Sequence, residues 1–306
     1  MPETPIIDCL IVGGGPAGLT AAIYAARFHL SVRIIDAGQS RAALIPRTHN
    51  HAGFPDGISG ADLVWRMRRQ AERYGVVAAA GSATSLSSGD GVIVARTEAG
   101  NINARSVLIA TGVTNNRPHM SATMHAEALE RGRLRYCPVC DGYEVTDLDV
   151  AVVGNGERAA KEAEFLRSFT ARVSLIAAYA DSNLSAADRE RLSAIGVRLI
   201  AGPAADFVLS TEGLSVLTGE GWIRFDTVYP SLGSVVHSDL AAGLGADLSD
   251  DGCIKVDAHQ RTSVSGLYAA GDVVKGLDQI SHAMGEAGVA ATAIRNDLAE
   301  RAPLLR

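Results

Sequence analysis

The segment "IIDCLIVGGGPAGLTAAIYAARFHLSVRIIDAG" (residues 6–38) has the order strand, glycine turn, helix, strand. Its first apolar run, residues 6–12, is short enough to be a buried parallel strand. The helix that begins near Pro16 places Leu19 and Ile23 on one face, together with alanines. The run "VRIID" (residues 32–36) is the second strand. We therefore predict a βαβ unit of an α/β protein.

Three glycines in this unit indicate a dinucleotide-binding turn. Gly13, Gly15 and Gly18 form the pattern G-x-G-x-x-G. The first allows a tight turn, the second lets a pyrophosphate approach the backbone, and the third lets the helix pack on the strand. The helix N-terminus offers free N–H groups and a partial positive charge to phosphates. Asp36 lies eighteen residues after Gly18, where an acid is expected to bind ribose hydroxyls.

The same pattern returns in the second half of the chain, as "DVAVVGNGERAAKEAEFLRSFTARVSLIAAYA" (residues 149–180). Here Gly154, Gly156 and Ala159 occupy the positions of the three glycines. Two such units predict an α/β fold with two Rossmann-like dinucleotide-binding domains of related design.

The bulk properties of the chain exclude several classes of protein. The 306 residues are 47% hydrophobic and 20% charged, as in a soluble globular protein of two ordinary domains. A net charge of −6 argues against nucleic acid as the main partner. The N-terminus lacks the pattern of a signal peptide, and no apolar run is long enough to cross a membrane. We expect a cytoplasmic protein, in which a cysteine pair is more often catalytic or metal-binding than structural.

The segment "YCPVCDG" (residues 136–142) holds two of the four cysteines, Cys137 and Cys140, followed by Asp141. One interpretation is a metal site, but a cysteine turn of this kind needs four soft ligands. Only Cys9, inside the first predicted strand, and Cys253, without a ligand at suitable spacing, remain, so we predict no metal. The other interpretation is a redox-active pair. One thiolate would attack a disulfide, and the nearby acid would protonate the departing thiolate.

Two further stretches resemble the flavin-binding motifs of two-dinucleotide-domain flavoproteins. The stretch "GLYAAGDVV" (residues 266–274) resembles their C-terminal motif, in which an aspartate, here Asp272, binds the ribityl chain or a nearby phosphate. The preceding Gly271 allows a close approach. The stretch "IATG" (residues 109–112) resembles the strand by which these enzymes leave the flavin domain. The resemblance implies FAD as the cofactor of the first domain.

Along essentially its whole length, the chain resembles the low-molecular-weight, bacterial-type thioredoxin reductases. Their active-site pattern is Cys-x-x-Cys-Asp, which Cys137, Cys140 and Asp141 match. The resemblance implies that Cys140 faces the flavin and that Cys137 attacks the external partner. It also implies that the second domain is inserted into the first, so we expect residues 1–114 and 236–306 to form the FAD-binding domain and residues 115–235 to form the inserted domain. It further implies a homodimer, and a rotation of the inserted domain that shows the dithiol alternately to the flavin and to the substrate.

The same resemblance implies which residues contact FAD. The segment "THNHAGFP" (residues 48–55) resembles the family segment with an asparagine near the isoalloxazine, which would be Asn50. The tripeptide "DQI" (residues 278–280) stands in place of the family's Arg-Gln-Ala, so that Asp278 replaces the arginine. The helix that follows would direct its positive end toward the pyrimidine side of the flavin. The expected FAD-binding residues are Gly13, Gly15, Pro16, Ala17, Gly18, Asp36, Gln39, Arg41, His49, Asn50, Thr111, Gly112, Gly271, Asp272, Gln279 and Ile280.

The second glycine motif departs from the family after its next strand. At that point the family has a His-Arg-Arg run and a further arginine, which bind the 2′-phosphate of NADPH. This chain has "SLIAAYADSN" (residues 174–183), which contains no arginine. No acid ends the strand either, as NAD would require. NADPH is therefore doubtful as a cofactor, and we expect little or no use of it.

Several functions remain open at this point. In the first, the protein is an FAD-dependent dithiol–disulfide oxidoreductase that acts on a thioredoxin-like protein or a small disulfide or dithiol, with electrons from a ferredoxin-type or other reductant. In the second, NADPH is the donor and binds through Arg158 or Arg189. In the third, a small dithiol reduces the protein and oxygen reoxidises the flavin. The fourth is a non-enzymatic flavin-binding redox sensor. Arginines within residues 66–73 and 131–135 suit an acidic partner, although a solvated surface is the simpler interpretation.

Overall fold

The computed structural model describes residues 5–305, which form an α/β protein. Its strands are β1 (Ile6–Val12), β2 (Val32–Asp36), β3 (Ala78–Ala80), β4 (Ala83–Gly89), β5 (Val92–Thr97), β6 (Gly100–Ile109), β7 (Val113–Asn115), β8 (Asp149–Gly154), β9 (Arg172–Ala177), β10 (Arg198–Ile200), β11 (Asp206–Leu209), β12 (Leu214–Thr218), β13 (Gly221–Phe225), β14 (Thr227–Ser231), β15 (Ser234–Val236) and β16 (Leu267–Ala269). Its α-helices are α1 (Pro16–Arg27), α2 (Gly60–Glu72), α3 (Ala122–Glu130), α4 (Pro138–Asp141), α5 (Gly156–Leu166), α6 (Ala186–Ala194), α7 (Asp239–Gly243) and α8 (Ile280–Arg301). Within residues 5–305, none of these helices combines the length and the apolarity that crossing a bilayer demands.

The chain divides into two compact units, and the second is inserted into the first. The first unit comprises the described residues up to Ile45, the segment Ile58–Thr114 and the described residues from Val235 onward. The second unit comprises Asn115–Ser234 together with the short segment Pro46–Gly57. The predicted bounds include that short segment in the first domain, whereas in the structure it groups with the second unit. A separate two-stranded sheet is formed by β7 and β15.

The first unit is built on a seven-stranded sheet with the order β3-β2-β1-β6-β5-β4, to which β16 adds by pairing with β6. The strands β3, β2, β1, β6 and β16 are parallel, and β4 and β5 join antiparallel. Pro16 begins α1, where the missing N–H of proline costs no hydrogen bond, and α1 packs against α8 and α2. The predicted βαβ unit is confirmed, and it brings the ends of β1, β2 and β16 to one edge of the sheet.

The second unit repeats this plan on a smaller scale. Its four-stranded sheet has the order β10-β9-β8-β14 and is parallel throughout. A three-stranded antiparallel sheet, β11-β12-β13, accompanies it. The helix α5 follows β8 after a glycine turn and buries its alanine face against the sheet. The prediction of a second Rossmann-like unit is therefore confirmed.

Candidate active site

Two glycines of the first turn are required by the close approach of backbone segments. Gly13 has a φ of +110°, and a Cβ added there would lie 2.3 Å from the Ala110 carbonyl oxygen. A Cβ added at Gly18 would lie 1.9 Å from the Gly13 carbonyl oxygen. Side chains at these positions would push α1 away from the ends of β1 and β6. The turn would then lose the tight shape that suits a pyrophosphate.

The acid that we predict to bind a ribose lies beside this turn. Asp36 ends β2, and a Cβ added at Gly14 would lie 2.5 Å from the Asp36 Oδ2 atom. Arg68 of α2 donates from Nη2 to the same oxygen at 2.6 Å. The sequence pattern located the acid but not its arginine partner, because nothing in the spacing relates α2 to the end of β2.

A second carboxylate lies on the turn after β16. A Cβ added at Gly271 would lie 2.9 Å from the Cβ of Ala17, so this turn packs on the start of α1. Asp272 Oδ2 pairs with Arg41 Nη2 at 2.8 Å, and Asp278 Oδ2 pairs with Arg41 Nη1 at 3.2 Å. Burial raises the pKa of Asp272, and the Arg41 charge opposes that rise. Predicted FAD residues from three separate segments therefore meet here.

Other predicted FAD residues of the first unit lie at the ends of its elements. Gln39 lies in the loop after β2. Thr111 and Gly112 follow β6, and the Thr111 hydroxyl donates to the His237 carbonyl oxygen at 2.6 Å. Gln279 precedes α8 as its N-cap residue, and Ile280 is the first helical residue. Their predicted contacts with FAD stay predictions.

The segment with the predicted isoalloxazine contacts, residues 46–57, belongs to the second unit. The Thr48 hydroxyl donates to Asn50 Oδ1 at 2.8 Å. A Cβ added at Gly57 would lie 2.8 Å from Cε1 of His49, so the segment folds back on itself. The roles of His49 and Asn50 toward the flavin stay predictions from the resemblance.

Glu286 of α8 supports the turn that carries the second carboxylate. Its Oε2 atom accepts a hydrogen bond from the Gly271 N–H at 2.7 Å, and its Oε1 atom lies 3.0 Å from His282 Nε2. Burial raises the pKa of Glu286, and the hydrogen bond from Gly271 lowers it. The sequence patterns did not indicate this residue. The signal available was a glutamate at the seventh residue of a helix otherwise rich in alanine and glycine.

The residues of the first unit fit a bound FAD. The glycine turn is a cradle in which Cβ atoms would clash. The N-terminus of the twelve-residue α1 directs N–H groups to this place. Arg41 and Arg68 supply positive charge beside the two carboxylates. These residues would hold the pyrophosphate at the helix N-terminus and the adenosine ribose at Asp36.

The two cysteines of the second unit are joined as a disulfide. Cys137 is the N-cap residue of α4, which has four residues, and the Cα atoms of Cys137 and Cys140 are 5.2 Å apart. The Cys140 N–H donates to the Cys137 sulfur at 3.1 Å. A thiolate at Cys137 would be stabilised by this bond after reduction. Among the described residues, no group of His, Cys, Asp and Glu side chains is placed so that it could hold a metal ion.

Both carboxylate oxygens of Asp141 are bound by neighbouring side chains. Arg135 Nη1 donates to Oδ2 at 2.9 Å, and the Tyr229 hydroxyl donates to Oδ1 at 2.8 Å. Burial raises the pKa of Asp141, and the Arg135 charge opposes that rise. The role of Asp141 as a proton donor to the thiols stays a prediction. The sequence motif located the acid beside the cysteines but indicated neither of its partners.

The second glycine turn is covered by the loop that follows β9. This loop, residues 178–183, is the strap. The Asn155 side chain accepts from the Ala178 N–H at 3.0 Å and donates to the Asp181 carbonyl. The Gly156 N–H donates to the Ser182 carbonyl oxygen at 2.8 Å. The backbone group at the close-approach position of the motif is therefore bonded within the chain.

The arginine clusters are largely engaged within the protein. Arg131 pairs with Glu127, while Arg133 donates to the carbonyl oxygens of Thr211 and Asp226. In α2, Arg69 pairs with Glu72 in the next turn. These contacts favour the simpler interpretation, a solvated and internally paired surface, over a docking site for an acidic protein.

Comparison with known proteins agrees with this architecture. Residues 7–287 match the family described as pyridine nucleotide-disulphide oxidoreductase. The chain is 33% identical over 304 residues to a thioredoxin reductase of Treponema pallidum, covering 94% of this chain and 95% of that protein. Among solved structures, HlmI has a TM-score of 0.87 at 28% identity, covering 96% of this chain and 93% of its own. A thioredoxin reductase from Streptococcus pyogenes MGAS5005 has a TM-score of 0.85 at 28% identity, covering 97% and 100%.

The two Rossmann-like units and the disulfide carried by the second of them define a flavin-dependent disulfide oxidoreductase. The match to the family model spans nearly the whole chain, so the chain belongs to the pyridine nucleotide-disulphide oxidoreductase family. Within it, the chain is a thioredoxin reductase-like enzyme for which the family implies FAD. This confirms the resemblance and sets aside the non-enzymatic redox sensor.

Proposed function

We propose that this enzyme passes electrons between FAD and the Cys137–Cys140 pair, and between that pair and an external disulfide or dithiol, with little or no use of NADPH. Following the resemblance and the names of the relatives, the partner is a thioredoxin-like protein or a small disulfide. The donor is a ferredoxin-type protein or another reductant. The family resemblance also leads us to expect a homodimer.

The observation that carries the proposal is the strap across the second glycine turn. A pyrophosphate at this turn would approach the backbone at Gly156. The Gly156 N–H already donates a hydrogen bond to the Ser182 carbonyl oxygen. A 2′-phosphate also needs cations, normally arginine in bidentate contact. The strap offers Tyr179, two alanines and Asp181 instead. Without two charged hydrogen bonds from arginine to the 2′-phosphate, we expect NADPH to bind more weakly by about two to four orders of magnitude.

The residues of the second unit suit thiol–disulfide exchange. The Cys137 thiolate attacks one sulfur of the partner's disulfide and forms a mixed disulfide, and the other partner sulfur leaves as a thiolate. Asp141 protonates that thiolate. Cys140 then attacks the Cys137 sulfur, which re-forms the internal disulfide and releases the second partner thiol. Two electrons pass from the pair to the partner, and FAD, when bound, supplies or accepts such electron pairs. The same steps in reverse oxidise an external dithiol.

Anaerobic titration of the purified yellow protein with NADPH and with NADH tests the proposal. We expect less than complete bleaching of the oxidised flavin band even at millimolar nucleotide. Dithiothreitol should bleach it through the cysteines. Tyr179→Arg with Ala180→Arg restores arginines to the strap and should increase the NADPH response by about tenfold or more. Rapid, complete bleaching of the unaltered protein at micromolar NADPH would overturn the proposal.

The second candidate is an ordinary NADPH-dependent thioredoxin reductase, and one contact favours it. Arg189 Nη2 donates to the Ser182 hydroxyl at 2.6 Å, which places a guanidinium at the strap. Arg158, the other arginine considered, pairs with Glu162 on the same helix at 3.4 Å. If Arg189 binds a 2′-phosphate, Arg189→Met should abolish bleaching by NADPH while bleaching by dithiothreitol is unchanged. If the first proposal is right, Arg189→Met changes neither response.

A further inference from the structure

The pairing of Arg68 with Asp36 gives this arginine a place in the first unit that the sequence did not indicate. Arg68 lies on α2, whose arginines suggest from the sequence either a docking surface for an acidic partner or, more simply, a solvated face. Its side chain is 41% exposed, but the Asp36 side chain that it contacts is 10% exposed. The two groups meet at 2.6 Å at the end of β2. This is the edge of the sheet at which the acid of a Rossmann unit meets the adenosine ribose.

The contact leaves part of the guanidinium unused. Arg68 Nε is shielded from solvent and has no hydrogen-bond partner among residues 5–305. Arginine commonly binds a carboxylate through two parallel N–H groups, whereas the contact to Asp36 is a single bond from Nη2. Buried N–H donors in native proteins nearly always have a hydrogen-bond partner. The arrangement therefore suits a site that a ligand completes.

The position of Asp36 is fixed from the opposite side as well. Its carboxylate lies against Gly14, where an added Cβ would approach to 2.5 Å. Asp36 is thus held between the glycine turn and Arg68. An exposed part of a planar guanidinium beside it can stack on a purine ring, which a lysine cannot do.

We propose that Arg68 is a binding residue for the adenosine half of FAD, and that it also positions Asp36 for the ribose hydroxyls. The proposal rests on the assignment of FAD to the first unit. Arg41 is its counterpart at the other carboxylate, Asp272. The two phosphates of FAD are negatively charged, and so are Asp36 and Asp272. Arg68 and Arg41 offset the negative charge of these two carboxylates.

The test compares FAD with FMN, which lacks the adenosine. Both affinities are measured on the full-length chain after flavin removal, by equilibrium dialysis with flavin fluorescence. Arg68→Met should weaken FAD binding by about 10- to 100-fold and should leave FMN binding unchanged. Arg68→Lys keeps the charge but not the planar fork, so it should give a smaller loss that is again confined to FAD.

Arg69→Met is the matched control, because Arg69 lies on the same helix and pairs with Glu72 at the surface. We expect no change in either affinity. Equal weakening of FAD and FMN by both Arg68 variants would show a structural role and overturn the proposal, as would no weakening at all. If the unaltered chain binds no FAD, the assignment of the cofactor fails rather than the role of Arg68.

Discussion

The two glycine turns share one sequence pattern and differ in what surrounds them. At the first, Asp36 ends the strand, lies against the turn and pairs with an arginine. At the second, the strand ends at Ala177, and the strap brings the Ser182 carbonyl to the Gly156 N–H. Asn155 holds the strap at two further backbone groups. One turn has the charges of a dinucleotide site, and the other is satisfied by its own loop.

The difference teaches that a glycine turn specifies a backbone shape and not an occupant. Every buried N–H group needs a partner, and a phosphate is only one that can serve. Charge decides which nucleotide is favoured, and it comes from residues outside the motif, such as Asp36 and Arg41. The second unit has the parallel sheet and glycine turn of a Rossmann-like domain. Its reactive group is the disulfide between Cys137 and Cys140.

Replacing the cysteines should have the largest effect on activity, because we propose that the disulfide of the second unit carries the exchange reaction. We expect Cys137→Ser and Cys140→Ser each to abolish electron transfer from flavin to an external disulfide, with FAD content unchanged. Photoreduced protein is mixed anaerobically with an aromatic disulfide, and return of the oxidised flavin band is followed. Cys253→Ser, which removes a free and half-buried cysteine, is the control. Transfer at the unaltered rate in the double variant Cys137→Ser/Cys140→Ser would contradict the assignment.

Adding one methyl group at each turn should separate the two sites further. At Gly13 the new Cβ would meet a backbone oxygen at 2.3 Å, and overpacking of this kind costs about 1–3 kcal/mol or more. We expect Gly13→Ala to lose FAD on purification. At Gly156 the nearest atom is 3.8 Å away and φ is +65°, so Gly156→Ala costs only about 1–2 kcal/mol of backbone strain. It should keep a full complement of FAD, measured by absorbance after denaturation. Loss of FAD from both variants would remove the distinction.

The parts of this molecule that sequence predicts well are those set by local spacing. The strand–turn–helix unit at Gly13 and the acid at Asp36 follow from short patterns, and so does the disulfide between Cys137 and Cys140. Absence of arginine from the strap is equally visible in the sequence. Each of these features depends on neighbours within one βαβ unit or one turn.

Partners that come from distant elements could not be predicted. Tyr229 reaches Asp141 from 88 residues away, and Arg68 reaches Asp36 from 32. Even Arg135, six residues before Asp141, lies in an irregular segment where no periodicity fixes the direction of a side chain. The bond from Gly156 to Ser182 is made by backbone atoms, which carry no sequence signal.

The smallest expected effect is a shift in the pH profile of thiol–disulfide exchange when Arg135 is replaced. Burial raises the pKa of Asp141, and the charge of Arg135 lowers it. A general acid works only while it is protonated, so the rate should fall as pH rises through this pKa. Arg135→Met removes the charge that lowers the pKa of Asp141. The fall in rate should therefore occur at higher pH. The photoreduced protein and an aromatic disulfide, mixed over a range of pH, give this profile without a natural donor.

Arg133→Met is the control for this profile, because Arg133 donates to the carbonyl oxygens of Thr211 and Asp226 and not to the acid. We expect its rate of exchange to fall over the same pH range as that of the unaltered protein. Asp141→Asn removes the titrating group, so it should lower the rate by about 10²–10⁴-fold and remove this fall with pH. A shift to lower pH in Arg135→Met would show that Asp141 is not the proton donor. The same shift in both arginine variants would show a general effect of charge, and exchange in this unit would then use a proton from elsewhere.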